Sequence, residues 1–436
     1  MKDDTKTRSF KHDIFQSIDK WYIAKEQYVD EFIPGKTRIQ YVAPIFGAEE
    51  VKEVVDSLLD ERLAIGHRNE EFERRFASFC QTKHCLTVNS GSSALLLIWL
   101  ALKNHRLSVP LKRGDEVITT ALNHPATINC LIQNGLTPVL IDADLETFNM
   151  DVSLITPAIT SHTKAILAMH MLGNPCDLSA LRYITDEYKL LLIEDCCDAH
   201  GAMHNGVKVG SWGDLAAFSF YAAHQMTMGE GGAITFQNNV YDEIIRSLRG
   251  WGVTDVPSTS PDRFVTQDPR LPNYDRRHLF TDIGYNLKIV EHQAAFGLRQ
   301  LDRLPMFIEK RRRNWKYLSD HLKSHSDYLY LQNETENSKI SPYGCAMVVR
   351  PDAPFKRIDM VRWLENHMIE SRHLWAGDVR LHPAYRGFNF EVSGDLNNAT
   401  IAKDGGFFVG CHPGMTKEML DYIIEVFDDF IKKHRR

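Results

Sequence analysis

Short apolar runs alternate with helical segments along most of the chain, and this alternation constrains the fold more than any other feature. Runs such as Thr137–Ile141 and Leu190–Ile193 are apolar at almost every position, which is typical of strands buried on both faces of a parallel sheet. Segments such as Glu49–Leu59 have helical apolar spacing, and the predicted helix Ser92–Leu102 lies between two of the predicted strands. Because parallel strands need a crossover between them, usually a helix, the sequence predicts an α/β fold with a mainly parallel sheet covered by helices.

The predicted elements divide the 436 residues into three parts. Residues 1–44 are predicted as an N-terminal arm, 45–300 as a large domain and 301–436 as a smaller C-terminal α+β domain. The predicted strands are His84–Val88, Glu116–Thr119, Thr137–Ile141, Lys164–Ala168, Leu190–Ile193, Ala216–Phe220, Ala233–Phe236, Tyr328–Leu331 and Ala346–Arg350. The predicted helices are Glu49–Leu59, Asn69–Phe79, Ser92–Leu102, Glu291–Leu322, Lys356–His367 and Thr416–His434. The Pro-, Ser- and Asp-rich segment Val253–Leu271 is predicted as a mobile loop.

Composition excludes several classes of function. The net charge is −6, so neither nucleic acid nor an anionic membrane is expected as a partner. The longest apolar run, Ala94–Leu102, is far short of a membrane span, and the first residues lack the apolar core of a signal peptide. The expected location is therefore the cytoplasm. The eight cysteines form no Cys-x-x-Cys pair, so no metal site is predicted from them.

Three local patterns carry candidate chemistry, and the first is Asn89-Ser-Gly-Ser-Ser-Ala94 between a strand and a helix. Small residues at a helix N-terminus let backbone N–H groups and hydroxyls approach a phosphate. Gly91 and Ser92 are the candidate ligands. A plain helix cap explains the same residues equally well.

The second pattern is the apolar strand that ends in Glu194-Asp195, with Asp198 three residues further on. An aspartate at the carboxyl end of a parallel strand can pair with a protonated pyridine nitrogen, as in pyridoxal-phosphate enzymes. Asp195 is the candidate for that role. Asp198 is placed to hydrogen-bond near the ring oxygen or a substrate. The alternative is a solvated strand end.

The third pattern is Ser219–Gly232, a buried strand that runs into a glycine-rich turn containing His224. Ser219 is a candidate phosphate ligand. In pyridoxal-phosphate enzymes such a turn usually offers a lysine that forms a Schiff base with the cofactor. Histidine cannot form that stable link, but its imidazole can act as a general base near neutral pH. A lone histidine is more often a packed core residue, yet the three patterns together favour a base.

These motifs resemble those of the DegT/DnrJ/EryC1/StrS family of sugar aminotransferases over about residues 40–430. The resemblance rests on Asn89-Ser-Gly-Ser-Ser, Ile193-Glu-Asp-Cys-Cys-Asp-Ala, Ser219-Phe-Tyr, Met228-Gly-Glu-Gly-Gly and Gly284-Tyr-Asn-Leu-Lys. Because histidine stands in place of the lysine, the chain is most similar to the lysine-less branch, the NDP-4-keto-6-deoxyhexose 3-dehydratases such as CDP-4-keto-6-deoxyglucose 3-dehydrase. The resemblance implies the fold type I of pyridoxal-phosphate-dependent transferases.

The same resemblance implies roles for individual residues. Gly91, Ser92 and Ser219 would hold the cofactor phosphate, and Asn286 would reach it from the partner subunit of a homodimer. Asp195 would bind the pyridine nitrogen, with Asp198 beside it and Tyr221 nearby. His124 would take the place of the aromatic residue that stacks on the cofactor ring. Arg372, Arg380 and His382 are loose candidates for the nucleotide pocket.

One departure from the dehydrase pattern concerns the iron–sulfur centre. The pattern carries cysteines shortly after the Gly-Trp-Gly turn, but Arg249–Arg263 contains none. Because thiolates are needed to ligate such a cluster, none is predicted.

The implied activity is a 3-dehydratase that uses pyridoxal or pyridoxamine 5'-phosphate on a nucleotide-linked 4-keto-6-deoxy sugar, in deoxysugar or lipopolysaccharide O-antigen biosynthesis. His224 would be the base, and glutamate rather than a reductase would restore the amine form of the cofactor. Two alternatives remain open: a nucleotide-sugar aminotransferase, which needs the missing lysine, and a non-catalytic cofactor-binding partner subunit.

Overall fold

Helices and strands alternate through most of the computed structural model, which describes residues 4–27, 31–253, 261–264, 266, 268–388 and 390–434. The helices are α1 Asp4–Glu26, α2 Ala48–Leu59, α3 His67–Cys80, α4 Gly91–Leu102, α5 Pro125–Gln133, α6 Ile155–Ala158, α7 Leu178–Tyr188, α8 Val240–Arg249, α9 Glu291–Leu322, α10 Arg357–Asn366, α11 Asn397–Gly405 and α12 Lys417–His434. The strands are β1 His84–Val88, β2 Glu116–Thr120, β3 Thr137–Ile141, β4 Thr163–Met169, β5 Leu191–Asp195, β6 Met203–His204, β7 Val207–Lys208, β8 Leu215–Ser219, β9 Gly232–Phe236, β10 Leu329–Leu331, β11 Ser338–Lys339, β12 Gly344–Val349, β13 Ser371–His373, β14 Glu391–Val392 and β15 Gly406–Gly410.

The central sheet confirms the predicted α/β class. Within the described residues it has eight strands in the order β1-β9-β8-β5-β4-β2-β3-β14. The neighbours from β8 to β14 pair in parallel, whereas β9 pairs antiparallel with both β8 and β1. Strand β9 is reversed because the turn 220–231 that separates it from β8 contains no helix, and a parallel neighbour usually needs a crossover helix. This turn carries His224.

Two hydrophobic clusters cover the two faces of this sheet. One contains Phe72 and Phe76 of α3 together with Leu298 and Leu304 of α9. The other contains the almost fully apolar helix α4, including Trp99, which is completely buried. Burial on both faces is the reason why the strands read as continuous apolar runs.

The C-terminal part builds its own antiparallel sheet in the order β10-β12-β15-β13. The predicted helix Glu291–Leu322 has those same bounds as α9, and it packs against both the large sheet's helices and this smaller layer. Strands β13 and β15 were not predicted. Strand β14 extends this part back onto the large sheet, where Glu391 and Val392 pair with Val139 and Leu140.

Several element ends differ from the predictions. Strand β5 continues past Ile193 to Asp195, because Glu194 and Asp195 pair with the last residues of β4. The segment predicted as an arm contains the helix α1, which packs on α2. Much of the predicted mobile loop Val253–Leu271 lies outside the described residues.

In the described part of the chain, every helix is too short or too polar to cross a membrane.

Candidate active site

A cavity of about 290 Å³ lies at the carboxyl ends of the central strands. This is the edge at which α/β sheets bind ligands. Eight of the nine predicted site residues line it: Gly91, Ser92, His124, Asp195, Asp198, Ser219, Tyr221 and His224. The structure therefore brings together residues that are up to 133 positions apart in the sequence.

The end of the cavity formed by α4 has the features of an anion site. Ser90 is the N-cap of α4 and its hydroxyl accepts a hydrogen bond from the Ser93 N–H. Gly91 opens the helix, and a Cβ there would lie 2.6 Å from Ser219 Cβ and 2.8 Å from Cys197 Sγ. Position 91 therefore has to be glycine for the helix end and β8 to approach so closely. The N–H groups of the first helical turn have no partner within a helix and carry partial positive charge.

Asp195 ends β5 and presents a carboxylate with a donor on each oxygen. Oδ2 accepts from the Thr127 hydroxyl at 2.7 Å, and Oδ1 accepts from the Cys197 N–H at 3.1 Å. The side chain is buried, with 5% of the residue exposed. A carboxylate held in one orientation at a cavity floor is suited to bind a cationic group above it.

His124 is the N-cap residue of α5 and lines the cavity. Its Nδ1 accepts from the Ala126 N–H at 3.2 Å at the start of α5. In the neutral ring the proton therefore lies on Nε2. The ring meets Trp375 edge to face at 5.2 Å, and burial lowers the pKa of His124. A neutral flat ring in this position can stack on a ligand.

His224 lies in the turn between β8 and β9 and faces the cavity. Its backbone N–H donates to the Tyr221 carbonyl at 3.1 Å, and its own carbonyl accepts from Arg311 Nη2 at 3.2 Å. Nδ1 lies 3.5 Å from Asp198 Oδ1, which is too far for a good hydrogen bond. Both Nδ1 of His224 and Oδ2 of Asp198 are buried without a hydrogen-bond partner.

The pKa values of these two groups move in opposite directions. Burial lowers the pKa of His224 well below its usual value, and His200, Arg311 and His124 lower it further. Burial and the charge of Asp195 raise the pKa of Asp198 well above its usual value. At neutral pH the imidazole therefore has no second proton and is able to accept one.

The other predicted residues divide into two groups. Tyr221 lines the cavity and is half-exposed. Asn286 is exposed and lies outside the cavity of this single chain, where its backbone bridges Gly250. Arg372 and Arg380 pair with their neighbours Glu370 and Asp378, each at 2.6 Å.

His382 also lies outside the candidate cavity. It lines an adjacent cavity of about 510 Å³ on the far side of Trp375. The assignment of Arg372, Arg380 and His382 to a nucleotide pocket remains a prediction.

Sequence reasoning missed several residues of the cavity wall. Thr127, Tyr343 and Trp375 line it, and Thr127 is the direct partner of Asp195. The two aromatic residues come from the C-terminal part of the chain and no local motif marks them. Tyr41, from the segment predicted as an arm, also lines the cavity.

Two features outside this cavity are an apolar groove and a buried cluster of potential metal ligands. A larger groove of about 740 Å³ between α1 and α2 is lined mainly by apolar side chains and lacks converging catalytic groups. Among the described residues, one group of potential metal ligands is His170, Glu194 and Cys196, all buried. The Glu194 oxygens already accept from backbone N–H groups of Gly210, Trp212 and Gly213, so this group is a structural network.

The candidate cavity fits a pyridoxal-phosphate cofactor. It offers a helix N-terminus with hydroxyls at one end, a fixed carboxylate on its floor, a flat imidazole on its wall and two buried polar atoms without partners. The first three features are what the phosphate, the pyridine nitrogen and the ring face would need. The two unpartnered atoms are Nδ1 of His224 and Oδ2 of Asp198.

Comparisons with known proteins agree with this geometry. Residues 44–428 match the model of the DegT/DnrJ/EryC1/StrS aminotransferase family. The chain is 40% identical to the lipopolysaccharide biosynthesis protein RfbH of Salmonella typhimurium, over 93% of this chain and 95% of the relative. It is 38% identical to dTDP-4-dehydro-2,6-dideoxy-D-glucose 3-dehydratase of Saccharopolyspora spinosa, over 94% of this chain and 90% of the relative.

A solved structure has the same fold. The Escherichia coli GDP-4-keto-6-deoxy-D-mannose-3-dehydratase with bound hydrated PLP superposes with a TM-score of 0.82 at 30% identity, covering 89% of this chain and 99% of the other. The predicted fold type I is thereby confirmed.

Proposed function

Because the chain belongs to the DegT/DnrJ/EryC1/StrS aminotransferase family, we propose that it is a 3-dehydratase of a nucleotide-linked 4-keto-6-deoxyhexose. The cofactor is pyridoxal or pyridoxamine 5'-phosphate, and the process is the biosynthesis of deoxysugars for lipopolysaccharide. Relatives named as 3-dehydratases, at 38% and 30% identity, and the lipopolysaccharide protein RfbH support this assignment.

The observation that carries the proposal is the identity of the residue in the β8–β9 turn. The residues that line the described cavity include no lysine, and His224 occupies the turn that faces it. A lysine would form a covalent link with the cofactor and favour amino transfer. An imidazole without that link can move protons, which is what loss of a hydroxyl group requires.

The residues that would hold the cofactor set its orientation. The N-terminus of α4, with Ser92 and Ser219, would bind the phosphate, and Asp195 would face the pyridine nitrogen. The bound cofactor supplies an amine for the C4 ketone and a pyridinium ring that stabilises negative charge on the adjoining carbon. The donors on both oxygens of Asp195 keep its carboxylate directed at that ring.

His224 would carry the proton transfers. Because burial keeps it neutral, its imidazole would accept a proton at the reacting carbon. It is then placed to deliver that proton to the C3 hydroxyl, which leaves as water. Asp198, 3.5 Å from Nδ1, faces one side of the ring, so Nε2 is the nitrogen we assign to these transfers.

The overall reaction balances with glutamate as the reductant. The sugar loses one oxygen atom at C3, and glutamate is oxidised to 2-oxoglutarate with release of its nitrogen as ammonia. This cycle requires neither an iron–sulfur cluster nor NADH.

The test is to incubate the purified protein with pyridoxal phosphate, glutamate and CDP-, GDP- and dTDP-linked 4-keto-6-deoxy sugars, and to follow C3 by NMR in deuterium oxide. We expect loss of the C3 hydroxyl, entry of solvent deuterium at C3 and release of one 2-oxoglutarate for each product. Turnover that depends on a reductase and NADH, without an effect of glutamate, would contradict the proposal.

The rival function is amino transfer, which the family's name includes. It predicts a stable 4-amino sugar with its C3 hydroxyl retained, and the same NMR spectra separate the two outcomes. A non-catalytic subunit would yield neither product.

We also propose that the active unit is a homodimer in which Asn286 completes the partner's phosphate site. Asn286 is exposed and its neighbours Phe280, Ile283 and Tyr285 are exposed apolar residues, Ile283 at 95%, as expected for a surface that a second subunit covers. Hybrids formed from inactive Asn286→Ala and Asp195→Ala chains should regain activity, because one of their two sites is intact. If mixing restores nothing while the chains do exchange, the sites are not shared.

A further inference from the structure

Arg311 lies beneath the turn that bears His224 and connects it to the C-terminal part of the chain. It is in the middle of α9 and only 1% exposed. Nη2 donates to the carbonyl of His224 at 3.2 Å, whereas Nη1 donates to the carbonyl of Tyr343 at 3.0 Å. Tyr343 precedes β12 and lines the cavity. One guanidinium therefore fixes the backbone on two sides of the candidate site.

This arginine is buried without a counter-ion. Burial lowers its pKa; among the described residues, Cys411 and Tyr343 raise that pKa and no carboxylate does, and its Nε has no hydrogen-bond partner. Arg68 shows the usual alternative, since it is also buried but pairs with Glu53, Asp56 and Asp60. Burying a cation without a carboxylate partner costs free energy of folding. Because no negative charge offsets it, the positive charge of Arg311 acts on the groups beside it.

We propose that Arg311 is a positioning residue for His224: its guanidinium fixes the carbonyl of the base-bearing turn and keeps a positive charge against the imidazole. This inference rests on the proposed dehydratase function. It adds the residue that determines the position of the His224 imidazole and keeps that imidazole neutral.

Five titratable groups face the His224 imidazole, and the effect of Arg311 is added to theirs. Tyr221 comes from the same turn, Asp198 and His200 from the segment after β5, His124 from the start of α5, and Tyr343 from the residues before β12. Asp198 is the acid among them, and burial raises its pKa. After burial itself, His200, Arg311 and His124 lower the pKa of His224. Arg311 is the member of that set that carries a permanent charge.

Two substitutions separate the charge from the hydrogen bonds. Arg311→Met removes both, whereas Arg311→Lys keeps the charge but cannot reach both carbonyls with a planar fork. Arg312→Met is the matched control, because Arg312 is the next residue of α9 and contacts Glu334 and the carbonyl of Ile340, both at 2.8 Å. Arg312 therefore contacts the same segment before β12 as Arg311 does, but it has no hydrogen bond to His224.

The primary readout is the titration of His224 itself. Protein labelled with ¹³C at histidine Cε1 is titrated by NMR, and His224→Gln identifies the His224 signal. We expect the titration in Arg311→Met to move upward by about one pH unit, and that in Arg311→Lys and Arg312→Met to stay in place. This measurement needs no turnover, so it stands even if the proposed reaction is wrong.

The second readout is dehydration. Both Arg311 variants should lose about 100-fold in kcat with a small change in KM, because the base is displaced, and the acid limb of the kcat/KM profile should shift only in Arg311→Met. Arg312→Met should keep wild-type kcat. The proposal is overturned if the His224 signal titrates as in the wild type in folded Arg311→Met. It is also overturned if Arg311→Lys turns over at the wild-type rate.

Discussion

Acid should destabilise this protein through His200, a completely buried imidazole beside the candidate base. Its Nδ1 lies 2.9 Å from Gln225 Oε1. Gln225 Nε2 donates to the carbonyls of Ser341, at 2.8 Å, and Asp198, so Oε1 is the atom that faces the ring. The proton is therefore on Nδ1, and Nε2 has no partner. Burial lowers the pKa of His200 to about 4.

The size of the effect follows from proton linkage. An unfolded histidine has a pKa of about 6.5, so the unfolded state binds a proton before the folded state does. The free energy of unfolding therefore falls as the pH decreases from about 6.5 towards 4. Between pH 7.5 and 5 a single group with these two pKa values removes about 2 kcal/mol.

The assay is urea denaturation followed by tryptophan fluorescence at pH 7.5, 6 and 5 at constant ionic strength. His200→Asn serves as the comparison, because an amide can still donate to Gln225 but does not titrate. The difference between the two unfolding free energies should change by about 2 kcal/mol over this range, in the direction that favours the variant at pH 5. Parallel curves for the two proteins would refute the assignment of His200 as a buried neutral group.

Three further outcomes are expected. His224→Lys should abolish dehydration and should form a cofactor adduct that borohydride reduction makes permanent and mass spectrometry detects; dehydration at the native rate would show that His224 is not the base. Protein purified without oxygen should contain neither iron nor acid-labile sulfide, and one cluster's worth of iron per chain would contradict the cluster-free cycle. Gly91→Ala should weaken cofactor binding at least tenfold, because its Cβ would meet Ser219 Cβ at 2.6 Å and Cys197 Sγ at 2.8 Å and move the helix end; wild-type affinity by fluorescence titration would exclude a phosphate site there.

The sequence predicted the parts of the fold in which apolar residues form a continuous run, as in the buried strands, or recur at helical spacing. The strands of the large sheet are continuous apolar runs, and the helix Glu291–Leu322 keeps its apolar spacing over 32 residues. Strand β15 was missed because its residues Gly-Phe-Phe-Val-Gly follow directly on α11, without a polar break. Strand β13 has three residues, two of them exposed, which is too short and too polar to stand out.

The candidate site was predictable where a residue sits at the end of a predicted element. Asp195 ends a strand and Gly91 begins a helix, so their positions follow from local pattern. Thr127, Tyr343 and Trp375 reach the cavity only through tertiary packing. Arg311 did leave a signal: it shares a helical face with Trp315 and Leu318, both buried. Arg311 was not recognised as occupying an apolar position because it lies within the basic run Lys310–Arg313.

The two aspartates that follow β5 show how one short segment supplies two different chemical groups. Asp195 has a donor on each oxygen, and these donors hold its side chain in one orientation opposite the proposed position of a cationic ring. Asp198, three residues on, has a partnerless Oδ2 and a raised pKa, so it favours its protonated form. It lies 3.5 Å from an imidazole whose pKa is lowered. An ionised Asp198 would attract a proton to His224 and remove the free base, whereas a neutral Asp198 leaves the ring able to accept one from a substrate. Under the proposed function, the separation of these two environments would let His224 act as a base at neutral pH although the turn carries no lysine.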